Sequence, residues 1–124
     1  MLKKTITYVD FNDVEKTETF YFNLTRAEIT KMELSTEGGL GEYIKQISEA
    51  KDGEKMMAIF EKIILMSYGE KDPSGRFVKT EKLSAEFSWT AAYDQLFMEL
   101  CLNPDKAAEF INGIVPKVAE QPKS

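Results

Sequence analysis

The sequence predicts an α+β fold, mostly helical, with an N-terminal β-hairpin packed against a bundle of about five to six short helices. Three observations carry this reading. Two stretches near the start are rich in Thr, Val, Tyr and Phe, which suit a pleated sheet, and are separated by Asn12-Asp13. Beyond Thr25, apolar residues recur at helical spacing and capping residues punctuate them. A chain of 124 residues, 43% of them hydrophobic, supplies one core and is too short for two ordinary domains. The expected domain spans residues 1–116, and Lys117–Ser124 reads as a polar, disordered tail.

The hairpin is expected from Thr5–Phe11 and Glu15–Phe22. Alternation places Ile6 and Tyr8 on one face and Thr7 and Val9 on the other. On the second strand Phe20 and Phe22 share a face, opposite Tyr21. An isolated hairpin is marginal in water, so one aromatic face must rest on helices. The first helix opens with a capping box, Thr25 with Glu28, and Leu24 and Ile29 have the spacing of a hydrophobic staple. It ends near Leu34, before Ser35–Gly39. Leu40, Tyr43, Ile44 and Ile47 form the apolar stripe of a second helix, which closes near Lys51-Asp52-Gly53.

A third helix is expected from about Glu54 to Tyr68, with Gly69 as its C-cap. Met56, Ile59, Phe60, Ile63 and Ile64 make its buried stripe; Glu54, Glu61 and Lys62 mark the solvent side, and Leu65 falls among the polar residues. Glu70–Arg76 reads as a loop in which Asp72-Pro73-Ser74-Gly75 fits a type I turn, with Phe77 and Val78 pinning it to the core. A short helix around Glu81–Phe87 and a longer one over Trp89–Leu102 follow. Asn103-Pro104 starts the last helix, because asparagine caps and proline suits the first helical position. Ala107, Phe110, Ile111 and Ile114 are its buried stripe, Gly113 weakens it and Pro116 stops it.

The helix over Trp89–Leu102 carries more apolar residues than one face can hold. Trp89, Tyr93, Leu96, Phe97, Leu100 and Cys101 gather on the expected core side; Asp94, Gln95 and Glu99 define the other. Met98 and Leu102 sit among the polar residues, four apart and so adjacent. Either the helix is covered all round, or Met98 and Leu102, with Leu65, form an exposed protein-binding patch.

Composition narrows the function. The net charge is −5, with a pI near 4.9, and basic residues are scattered, which argues against nucleic acid or an anionic membrane as partner. No apolar run approaches transmembrane length. The start, Met1-Leu2-Lys3-Lys4, lacks the apolar region of a signal peptide, and one cysteine, Cys101, suits a reducing cytosol. Histidine is absent, which removes the commonest general base and metal ligand. Gly38-Gly39-Leu40-Gly41 lacks the lysine-serine ending of a phosphate loop. The Glu70–Asp72 acids fit no calcium-loop spacing. No catalytic residue, cofactor or metal is expected.

The order and extent of several phrases resemble a known family. Phe20–Ile44 (FYFNLTRAEITKMELSTEGGLGEYI), Tyr68–Phe87 (YGEKDPSGRFVKTEKLSAEF), Ala92–Leu100 (AYDQLFMEL) and Ala107–Pro116 (AAEFINGIVP) look like the tail assembly chaperones of long, flexible-tailed bacteriophages and prophages. No short motif within them is diagnostic. The resemblance implies a non-enzymatic protein of the bacterial host's cytoplasm that binds and solubilises the tape measure protein, promotes assembly of tail tube protein around it, and is absent from the mature virion. It also implies possible self-association, and a longer frameshifted form whose junction would fall in Lys117–Ser124. No functional residue carries over, so Met98, Leu102 and Leu65 rest on the helical wheel alone. Two other readings are a structural tail or head-tail completion protein of the virion and a small acidic inhibitor or adaptor. The interspersed lysines count against the latter.

Overall fold

The computed structural model describes residues 1–35 and 38–116. An N-terminal hairpin, β1 (Leu2–Val9) and β2 (Glu15–Phe22), is followed by three helices: α1 (Arg26–Ser35), α2 (Gly39–Glu49) and α3 (Gly53–Ser67). Two short strands, β3 (Tyr68–Lys71) and β4 (Phe77–Val78), then precede α4 (Glu81–Ser88), α5 (Ala91–Leu102) and α6 (Pro104–Ile114). The strands form one antiparallel sheet in the order β1-β2-β3-β4. The side chains of Leu40 and Ile44, expected on the stripe of α2, and the expected tail Lys117–Ser124 lie outside the described residues.

The hairpin follows its alternation. Ile6, Tyr8 and Phe22 are buried on the helix-facing side, with Phe20 half-buried beside them. Thr5–Thr19 and Thr7–Thr17 hydroxyl pairs, at 2.9 and 3.0 Å, line the outer face. The first strand ends at Val9, earlier than expected. Asp10 caps the turn, its carboxylate accepting from the N–H groups of Asn12 and Val14, while Asp13 takes the left-handed φ of 63° that aspartate tolerates. Phe11 is therefore a loop residue, 79% exposed.

The capping box forms as read: the Glu28 N–H donates to Thr25 Oγ1 and the Thr25 N–H to the Glu28 carboxylate, at 3.1 and 2.8 Å. Leu24 and Ile29, the expected staple, wall one apolar cavity. Asp52, Thr80, Thr90 and Asn103 cap α3, α4, α5 and α6 through their side chains. Lys79 reaches back from beyond β4 to Glu28 at 2.5 Å and to the Asn23 carbonyl at 2.8 Å, tying α1 to the sheet edge. Burial disfavours the Glu28 carboxylate, but Lys79 and the Thr25 N–H outweigh it and hold the group below its ordinary value.

Three expectations are corrected around Tyr68. The third helix stops at Ser67, and Tyr68 opens a strand that pairs with Phe22. Tyr68 stacks on Phe87, with centroids 4.2 Å apart, and packs against Phe22 at 5.8 Å; these distant aromatics hold it extended. Gly69 is thus a strand residue and not a C-cap. Its small size is what matters, since a Cβ there would sit 2.7 Å from the Val78 carbonyl oxygen and from Lys79. The expected loop is a second, tight hairpin. Asp72 accepts from the N–H of Gly75 through its carbonyl and from Ser74 and Arg76 through its carboxylate, and Gly75 supplies the φ of 96°.

The core is a cluster to which α2 to α6 contribute buried side chains, centred on Phe22, Ile64, Leu96, Leu100, Phe110 and Ile114, with Ile29 and Met32 of α1 half-buried against it. Gly113 has a packing role: a Cβ there would meet Leu2 at 2.8 Å, so the glycine lets the end of α6 lie against the start of β1.

Candidate functional site

α5 is the helix that positions the candidate residues. Thr90 caps it, accepting from the Tyr93 N–H at 3.1 Å. Ala92, Leu96 and Leu100 are buried toward the sheet and α6. On one flank Lys4 of β1 holds Glu99 at 3.0 Å; on the other, Tyr93 and Phe97 stack with centroids 5.8 Å apart, and both are half-buried. Two flanks pinned in this way leave the side opposite Leu96 facing outward. Met98 is 41% exposed there and Leu102 74%. Met98 and Leu102 are therefore exposed side chains of α5.

Leu65 does not join them. It is half-buried in a separate recess between α3 and α4, with Met66, Lys79 and Ser84, and its carbonyl accepts from the Ser84 hydroxyl at 2.8 Å. Trp89 also departs from expectation. It is not on the core side of the long helix but ends α4, where its N–H donates to the Glu86 carbonyl, and it is 71% exposed. The Thr90 cap resets the chain direction just before α5, so helical spacing cannot be run through Trp89. Ala92, fully buried, takes the core place that the wheel did not give it.

The outward row is wider than Met98 and Leu102. Phe97 and Cys101 border it on α5, and Met57 of α3, 47% exposed, lies on the flank of α3 that carries Glu61. Next to this flank, Met56 and Phe60 of α3 meet Leu100 and Cys101 of α5; burial, and then the charge of Glu61, push the Tyr93 hydroxyl up to about 12. Met57 was not singled out from the sequence, although its place one residue beyond the Met56 stripe puts it at that stripe's edge. Past Cys101 the surface enters a recess of about 310 Å³ walled by Met56, Phe60, Leu100, Ala107 and Ile111.

The chemistry of this region is that of contact. Burial raises the Cys101 thiol and so disfavours its thiolate. Among the described residues no three His, Cys, Asp or Glu side chains are grouped to hold a metal ion. No described helix is long and apolar enough to cross a membrane. Gly38 and Gly39 both have left-handed φ, 83° and 85°, a turn into α2.

A family model described as "Phage tail assembly chaperone" matches residues 1–123. Comparison with curated proteins and with solved structures gave no match.

Proposed function

We propose that this chain, which belongs to the phage tail assembly chaperone family, binds the tape measure protein, keeps it soluble and delivers it to tail tube subunits as the tube grows. It works in the cytoplasm of the infected or lysogenic host and leaves before the virion is complete. The family is non-enzymatic, and the task asks for adhesive surface rather than chemistry. The observation that carries the reading is the exposed Met98–Leu102 row, in a chain whose other large apolar residues on α5 are buried or half-buried. Contiguous exposed apolar residues mark interaction sites, and an apolar helical client would lay its own stripe along such a row.

Co-expression tests it. With the wild-type chain the tape measure protein is expected in the soluble fraction and in a pull-down; with Met98→Glu/Leu102→Glu it pellets while the variant itself stays folded. A tape measure protein that stays equally insoluble with the wild-type chain, or abundant chain in purified virions by mass spectrometry, defeats the proposal.

A further inference from the structure

We propose that the α3–α5 face seats an amphipathic helix whose apolar stripe is bordered by lysine or arginine; this rests on the reading of α5 as the client surface. The argument comes from how charge is sorted on α3. Glu54, Met57 and Glu61 recur at helical spacing and share one flank of α3, next to Met56 and Phe60, which wall a recess with Leu100 and Cys101 of α5. The lysines of α3 are on the other side: Lys62 lies over the Tyr43 ring, 5.6 Å from its centroid, and Lys55 lines a recess with Gln46 and Glu49 of α2.

α5 adds Asp94 one turn before Met98 and has no basic residue of its own. Its other acid, Glu99, is held by Lys4 on the far flank. The apolar strip of Met57, Phe97, Met98 and Leu102 is thus bordered by Glu54, Glu61 and Asp94, all exposed. Among the described residues none of these three acids has an ion-pair partner.

A helix lying here meets apolar contact along its centre and negative charge at its margins. A stripe flanked by Lys or Arg satisfies both, and one flanked by Asp or Glu is repelled. α5 is about 18 Å long, which accommodates about three turns of such a helix. The recess beyond Cys101 is open to a large anchor side chain, and the methionines adapt to different anchors. A second copy of this chain, also at −5, would bring a matching acidic margin and is disfavoured as occupant.

The test uses two labelled helical peptides with one shared leucine stripe, flanked by lysine in one and by glutamate in the other, titrated against the full chain by fluorescence anisotropy. The lysine peptide binds, the glutamate peptide binds at least about tenfold more weakly, and salt weakens the lysine peptide because exposed pairs are screened. Glu54→Gln/Glu61→Gln/Asp94→Asn weakens the lysine peptide about tenfold with an unchanged melting curve, and Met98→Glu/Leu102→Glu abolishes binding. Equal binding of both peptides, no binding of the lysine peptide, or an unaffected triple variant overturns the proposal. So does a wild-type dimer in sedimentation that Met98→Glu/Leu102→Glu dissolves, which would give the face to a second copy. Co-expression separates the two readings: tape measure protein kept soluble by the triple variant as well as by wild type sinks the acidic border and leaves the chaperone, whereas failure with wild type sinks both.

Discussion

Beneath the sheet, Phe22 is closed in by Tyr68, Phe87 and Phe110, with ring centroids 5.8, 5.8 and 5.1 Å away. On the outside of α5, Met98 and Leu102 face solvent. Both regions are built from large apolar side chains on regular elements. The aromatic layer draws its members from β2, β3, α4 and α6, so each ring is held by parts of the chain far from it in sequence. Among the described residues no such element covers the outward face of α5. A side chain's contribution to stability therefore depends on what arrives to cover it, and apolar residues left uncovered remain available to a partner.

Breaking the aromatic layer should have the largest effect. Phe22→Ala removes a fully buried ring and should cost about 3–5 kcal/mol, enough to leave little folded protein in a urea titration. Alkaline pH attacks the same layer without mutation. Tyr68 is pushed up to about 12, mainly by burial and then by Glu70; Tyr8 reaches about 12 because the Glu18 carboxylate accepts its hydroxyl hydrogen and burial adds to that. The folded state disfavours both phenolates, so stability holds below the ordinary tyrosine value of 10.0 and falls as pH rises from there through about 12. Circular dichroism melts across that window check it; a melting temperature that does not fall contradicts the burial of these hydroxyls.

Smaller effects sharpen the contrast. Gly69→Ala pushes a methyl group against the Val78 carbonyl oxygen, 2.7 Å from the ideal Cβ position, and should cost about 1–3 kcal/mol, read as a lowered denaturation midpoint. Thr25→Ala removes one half of the capping box and should cost about 1 kcal/mol. At the far end, Met98→Glu/Leu102→Glu should change folding stability by no more than about 0.5 kcal/mol while abolishing capture of the client. Unfolding of that double variant would place Met98 and Leu102 in the core and erase the distinction.

Much of the fold was legible because its signals are local. The capping box at Thr25, the Asn103-Pro104 start and the Asp72–Gly75 turn each act within a few residues, and all appear as read. The alternation of Ile6 and Tyr8 likewise needs only the pleat. Strand β3 was hidden because Tyr68 has helical neighbours before it, while the groups that hold it extended lie at Phe22 and Phe87. The candidate site was half legible. The wheel isolated Met98 and Leu102, but it could not set Leu65 apart from them, since that depends on which helices flank α3.

The sequence by itself determined where most elements start and stop, the inward side of the hairpin, and a resemblance to tail assembly chaperones that the family match bears out. Only the tertiary structure decided that Trp89 is exposed, that Gly69 and Gly113 are sites of close approach, and that Met98 and Leu102 face solvent. Caps, turns and periodicity are written within a turn or two of chain, whereas burial is a relation between segments, fixed by which distant element comes to lie on which face.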